Sequence, residues 1–154
     1  MALKIRQGDR DDIPALIELG GLMHKESPRF RGLDWAEDKL IQLGILIADQ
    51  GGMFVAEKDN KVVGMILGMV TEHFFGRDLV ASDLVVYVHP DHRGGTMVVR
   101  LLKKFEAWAY ATGAKVIVLG VSTEIKADRT GELYKRLGYR STGVMAVKER
   151  KICV

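Results

Sequence analysis

Residues 88–102 read Val88-His89-Pro90-Asp91-His92-Arg93-Gly94-Gly95-Thr96-Met97-Val98-Val99-Arg100-Leu101-Leu102. Upstream, residues 79–88 (LVASDLVVYV) are apolar and rich in β-branched side chains, which predicts a strand; Pro90 stops it. Downstream, residues 94–112 place Val98, Leu101, Leu102, Phe105, Trp108 and Ala109 on one helical stripe, with Arg100, Lys103, Lys104 and Glu106 off it. The join is therefore strand, tight turn, long amphipathic helix. Gly94 and Gly95 let the backbone turn sharply and approach a ligand. The amides of residues 94–98 open the helix without intrahelical partners, and with the positive end of the helix dipole they suit an anion. Each such contact contributes about 0.3–1 kcal/mol at an exposed site. Several together, with charge from Arg93 or Arg100, suit a pyrophosphate. A strand–turn–helix that binds nothing fits the same residues. The chain contains neither G-x-x-x-x-G-K-[ST] nor G-x-G-x-x-G, so the other common phosphate loops are excluded.

Outward from this join, residues 3–7 (LKIRQ) alternate as a first strand, and Asp9, Asp11 and Asp12 suit a helix N-terminus. Ile13, Leu16, Ile17, Gly20 and Met23 fall on one helical face, and residues 25–33, with Pro28 and Gly32, read as a loop. Asp34 and Glu37 have the spacing of a capping box for a second helix through Leu40, Leu43, Gly44 and Ile47, ended by Gly51 and Gly52. Residues 53–58 and 61–71 read as strands joined by a tight turn at Asp59–Asn60. Residues 115–121 (KVIVLGV) predict a strand covered on both faces. A helix follows over roughly 127–137, then one or two last strands over 139–147, with Gly143 a turn or bulge. The order β-α-α-β-β-β-α-β-α-β(β) predicts an α/β fold: a mixed sheet with helices on both faces. No linker or repeat divides residues 1–154, which predicts one domain.

With 154 residues, 47% hydrophobic and 28% charged, the chain can bury a core of its own. The net charge of +3 is dispersed, with short clusters at Lys103–Lys104 and Lys148–Lys151, and there is no long cationic tail. That pattern fits a solvated surface or a local patch for a phosphate-bearing cofactor, and it argues against a nucleic-acid partner. Residues 62–70 (VVGMILGMV) are too few to span a membrane. The single cysteine, Cys153, builds no disulfide framework, so a reducing cytoplasm is expected.

The stretch Val88–Leu102 resembles the cofactor-binding motif of the GNAT acetyltransferases, roughly V-x-P-x-x-[QR]-x-x-G-x-[GA] before a long helix. Glu132-Leu133-Tyr134-Lys135-Arg136-Leu137-Gly138-Tyr139 is similar to the family's near-C-terminal FYxKLGF segment. The element order agrees over nearly the whole chain. Three positions depart: Thr96 where glycine is usual, Val98 where glycine or alanine is usual, and Ala127 where asparagine is frequent.

The resemblance implies a mostly antiparallel sheet splayed between its fourth and fifth strands, with acetyl-CoA as co-substrate. Backbone groups of Val86 and Val88 would then hold the pantetheine arm, and the amides of Gly94, Gly95, Thr96, Met97 and Val98 the pyrophosphate. Arg93 would add charge, Arg129 would reach the phosphates, and a strand-four amide would polarise the acetyl carbonyl. Tyr134 would be the general acid; a half-buried tyrosine beside Leu133 and Leu137 is the plainer reading of the same residue. The amine must be neutral to attack, and one with a lysine-like pKa is neutral in only about one molecule in 2,500 at pH 7. Asp83 on strand four is the leading base, with Glu72 and a water positioned by Ser82 as alternatives; a weakly basic amine needs none.

Cys153 lies outside both motifs, so direct attack in a ternary complex is preferred over a ping-pong route. His89 and His92 share a loop with no third ligand nearby, so no metal is expected. The acceptor is a small-molecule or protein amine, met by residues 24–35 and 72–78. Phe30, Trp35, Phe74 and Phe75 would wall it, and Arg29, Arg31 and Arg77 would meet an acidic group. Many members of the family dimerise, and an apolar C-terminal strand offers a homodimer interface. A non-catalytic module that binds acyl-CoA or a protein is the alternative function.

Overall fold

In the computed structural model of the chain, residues 2–121, 123 and 125–150 are described. Cys153 and the end of the Lys148–Lys151 cluster lie outside them. The elements are β1 (Leu3–Gln7), α1 (Ile13–Glu26), α2 (Glu37–Gln50), β2 (Met53–Lys58), β3 (Lys61–Glu72), β4 (Leu79–Val88), α3 (Met97–Ala111), β5 (Ala114–Val118) and α4 (Ala127–Arg136). The strands form one sheet in the order β1-β2-β3-β4-β5. The first four pair antiparallel, and β5 joins β4 in parallel.

Local chemistry sets several boundaries. A short 3-10 turn at Arg10–Asp12 precedes α1. Asp9 accepts from the Asp11 amide at 2.9 Å, and Asp12 Oδ2 accepts from the Asp9 amide at 2.9 Å. Arg6 on β1 binds Asp12 through both carboxylate oxygens and Glu57 on β2, fixing the start of α1 to the sheet. The β2–β3 turn holds Asp59 and Asn60 at φ 56° and 62°, the left-handed geometry that matches hairpin twist.

Two helical layers cover the sheet. On one face α3 packs Leu101, Leu102 and Phe105 over Ala56, Ile66 and Ala81. On the other, α1 and α2 pack Leu16 and Ile47 over Met53, Val55, Met65 and Tyr87. α3 sits close because β3 lacks side chains beneath it. A Cβ at Gly68 would lie 2.3 Å from the Phe105 ring, and one at Gly64 2.7 Å from Met97 Sδ.

Two irregularities of β4 shape the site. Leu67 pairs with Val85 and Gly68 with Asp83, so Leu84 is an extra residue, a β-bulge. β5 pairs with β4 only over Leu79–Ser82, and β4 runs on to Val88 without it. The splay implied by the family resemblance lies at this point.

Three sequence expectations are corrected. Asp34 does not cap α2: the N-cap is Ala36, with no side-chain cap bond, because the helix begins two residues later at Glu37. β5 is shorter than residues 115–121 and is not covered on both faces; as an edge strand it leaves Lys115, Val116 and Val118 exposed. Residues 139–147 form no strand. A segment becomes a strand only by pairing, and among the described residues none pairs there; Val144, Met145 and Val147 are exposed.

Candidate active site

Where β4 and β5 part, a cleft of about 340 Å³ opens between the strand ends, the start of α3 and α4. Asp83, Val86 and Val88 line it from β4, and Arg93, Gly94, Gly95 and Val98 from the turn into α3. Arg129 and Tyr134 line it from α4. The fold thus gathers nine of the eleven residues assigned to cofactor contact or, as Tyr134 and Asp83, to the leading acid and base roles. Thr96 and Met97 are not in the lining. Thr96 is the residue before α3, and the Met97 side chain is buried against Gly64.

Gly94 takes φ +98°, a left-handed conformation that favours glycine. Side chains at Gly94 or Gly95 would meet nothing within 4 Å, so the loop borders open space. α3 starts at Met97, and the amides of its first three residues have no intrahelical carbonyl to reach. The charged lining residues are four cations, Arg93, Lys126, Arg129 and Arg136, and one acid, Asp83. Free amides, a side-chain-free loop and a cationic rim fit a phosphate-bearing ligand.

Arg93 is already committed. Its guanidinium forms a fork with Glu26, at 2.7 Å and 2.6 Å, and its Nε donates to the Val88 carbonyl at 2.9 Å. Tyr87 also donates to Glu26 at 2.7 Å. The Arg93 bonds, aided by Tyr87, hold the Glu26 carboxyl below its ordinary pKa against the effect of burial. Arg93 therefore joins the glycine turn to the end of α1, with its charge largely offset.

Asp83 and Tyr134 face each other across the cleft floor. Asp83 pairs with Gly68 on the sheet face under α3, the face on which α4 seats Tyr134. Asp83 Oδ1 accepts from the Gly120 amide at 3.0 Å, and the Tyr134 hydroxyl points at the Gly120 carbonyl at 3.5 Å. Burial pushes the Asp83 carboxyl up to about 6, with the Gly120 amide pulling the other way. Burial first, and the nearby Asp83 charge second, hold the Tyr134 phenol well above its ordinary value. At neutral pH the pair offers a carboxylate that can take a proton and a phenol that keeps one.

A second cavity of about 500 Å³ lies on the opposite sheet face, between α1, α2 and the loop that joins them. Phe30 and Trp35 line it, whereas Phe74 and Phe75 stand exposed at the β3–β4 hairpin tip, stacked with His73. Glu72, Arg29, Arg31 and Arg77 line neither cavity, and Ser82 is held in the β4–β5 ladder.

Sequence reading missed Glu26, Gly120, Lys126 and Arg136. Glu26 lies 67 residues from its partner Arg93, and no local pattern links them. Gly120 falls at the end of the stretch whose composition predicts a strand but lies beyond β5, and Lys126 sits in an irregular connection; neither position carries a pattern that marks a contact. Arg136 lay within a recognised motif, and only the orientation of α4 brings it to the cleft.

A sheet split between its fourth and fifth strands, with a glycine turn and a helix start beside the split, defines an α/β protein with a cleft at that split. The sequence profile of the Acetyltransferase (GNAT) family matches residues 20–139, and the chain belongs to that family. No curated protein matches it by sequence. Among solved structures, it is similar to an aminoglycoside N-acetyltransferase in complex with CoA, at TM-score 0.72 and 16% identity over 99% of this chain and 96% of that one. It is also similar to glucosamine-6-phosphate N-acetyltransferase from Arabidopsis thaliana, at TM-score 0.72 and 17% identity over 98% of this chain and 100% of that one. A transcriptional regulator from Bacillus halodurans C-125 matches at TM-score 0.75 and 16% identity over 97% and 100%. Identities this low establish the fold. Among the described residues, no helix is long and apolar enough to cross a membrane.

Proposed function

We propose that residues 1–154 act as a single cytoplasmic acetyltransferase domain that moves the acetyl group of acetyl-CoA to a primary amine by direct attack in a ternary complex. The observation that carries this reading is the convergence, on one cleft at the β4–β5 split, of the open glycine turn, the cationic rim and the Asp83–Tyr134 pair.

Acetyl-CoA supplies a thioester-activated acetyl group. Backbone groups of Val86 and Val88 hold its pantetheine arm along the free side of β4. The amides of Gly94, Gly95, Thr96, Met97 and Val98 receive the pyrophosphate, and Arg129, with Lys126 and Arg136, supplies the countercharge. Arg93 keeps the turn in place through Glu26. An amide of β4 near the Leu84 bulge polarises the acetyl carbonyl.

Asp83 takes a proton from the incoming ammonium, directly or through water. The neutral nitrogen bonds to the acetyl carbon, the carbon–sulfur bond breaks, and Tyr134 gives its proton to the departing sulfur; the second proton shed by the nitrogen restores the phenol through water, and Asp83 releases its proton to solvent. A carboxylate poised near pH 6 is a better base at neutrality than an ordinary aspartate, and it still ionises there. Direct transfer is preferred because the single cysteine, Cys153, lies outside both sequence motifs.

The test is coenzyme A release, read with a thiol reagent, over a panel of amines. Amine-dependent release supports the reading. A thermal shift with acetyl-CoA but no release with any amine favours an acyl-CoA-binding module, and no shift at all favours a protein-interaction module.

A further inference from the structure

We infer that the acceptor is a small primary amine carried on an apolar alkyl or arylalkyl body, and that this body occupies the cavity between α1 and α2. The inference rests on the transferase reading and names its substrate class.

The two cavities share a wall at the bulge: Leu84 and Val85 line both. Asp83, the residue before them, lines the cofactor cleft. β5 stops pairing with β4 at Ser82, so beyond that point no strand closes the sheet, and a molecule seated in the second cavity can extend one end through this gap toward the groups assigned to proton transfer. The second cavity has the volume of small-molecule sites. Its walls are Leu16 and Ile17 from α1, Trp35 from the loop, and Leu40 and Leu43 from α2.

The charged side chains in that lining are Asp34 and Lys39, one of each sign. A polycation such as a polyamine or an aminoglycoside would leave several ammonium groups there without counter-charges. His24 does not alter this. Its Nε2 donates to the Leu33 carbonyl at 2.8 Å while the ring meets Trp35 edge-on at 5.3 Å, so it holds the loop. Gly20 on α1 lines the cavity without a side chain, and a Cβ there would lie 3.4 Å from the Trp35 ring, so a larger residue intrudes between that ring and the cavity.

The experiment compares n-alkylamines from propyl to hexyl, 4-phenylbutylamine, spermidine and kanamycin as acceptors. The expected kcat/KM rises about fourfold for each added methylene, the factor for burying one CH₂. Spermidine and kanamycin are expected to be at least tenfold poorer than hexylamine. Gly20→Leu, which fills the cavity, removes the chain-length dependence while acetyl-CoA affinity stays unchanged; Leu43→Gln, on the other wall, flattens it. A flat series, or a preference for spermidine or kanamycin, overturns the inference and leaves acetyl transfer standing. If no amine is acetylated, calorimetric binding of 4-phenylbutylamine decides. Saturable binding lost in Gly20→Leu sustains the apolar site while the transferase reading falls. Absence of binding overturns the inference as well.

Discussion

Asp83 and Tyr134 grip the two backbone polar groups of a single residue: the Gly120 amide donates to the Asp83 carboxylate at 3.0 Å, and the Tyr134 hydroxyl faces the Gly120 carbonyl at 3.5 Å. The 3.5 Å contact is at the weak limit of a hydrogen bond, so the hydroxyl can turn to another acceptor at little cost. The aspartate bond is of ordinary length and holds the carboxylate in place.

Tyr134→Phe removes the proposed proton donor and little else, since the ring stays packed in the core that α4 shares with α3. Turnover should fall by about 10²–10⁴-fold, the usual worth of a positioned acid, with acetyl-CoA affinity nearly unchanged. Steady-state kinetics beside calorimetric titration reads both. Wild-type turnover would remove Tyr134 from the mechanism.

Asp83 should govern the acidic limb of activity. It works when deprotonated, so kcat/KM should rise with pH through about 6, and the limb should vanish in Asp83→Asn. Stability runs the other way. The folded chain binds this proton more tightly than the unfolded chain, whose value is 3.8, so the contribution is present at low pH and is lost as pH climbs toward 6. Asp83→Asn, which can still accept from Gly120, should therefore be more stable than wild type at pH 7 by roughly 1–3 kcal/mol and equal to it near pH 4. Denaturant unfolding at the two pH values checks the sign.

Gly95→Asp isolates charge at the turn. A side chain there meets open space, and unlike Gly94 this residue does not sit at positive φ. The added carboxylate should weaken acetyl-CoA binding about five- to tenfold at low salt and less at high salt. An affinity equal to wild type at low salt would move the phosphates elsewhere.

Glu26→Gln should loosen the turn from α1. The fork to Arg93 is partly buried, with both side chains about a quarter to a third exposed, so loss of the charge should cost about 1–2 kcal/mol in thermal unfolding. The Glu26 carboxyl is held below its ordinary value, so this stability is present at neutral pH and is lost in acid. Similar melting of variant and wild type at pH 7 would show that the fork is not structural.

Much of this was legible in the chain itself. The α3 stripe and the glycine turn announce themselves because local periodicity and turn chemistry coincide there. The bulge does not. Ala81 faces α3, and so do Val86 and Val88, an odd and an even phase that no single alternation joins. Only pairing with β3 shows Leu84 as the extra residue. The Asp34–Glu37 spacing misled for a different reason. A capping box is a local motif, and the loop closing the α1–α2 cavity recruits Asp34 into that wall instead. Residues 139–147 carry strand-like composition, but pairing is a property of two segments, and composition describes one.

The early departure of β5 leaves Leu84–Tyr87 with a bare sheet margin. Unpaired margins ordinarily invite a stray polypeptide to add itself as another strand. Here the cleft along that margin is bordered by the head of α3 and by α4, so the fold flanks this edge with helices rather than with another strand.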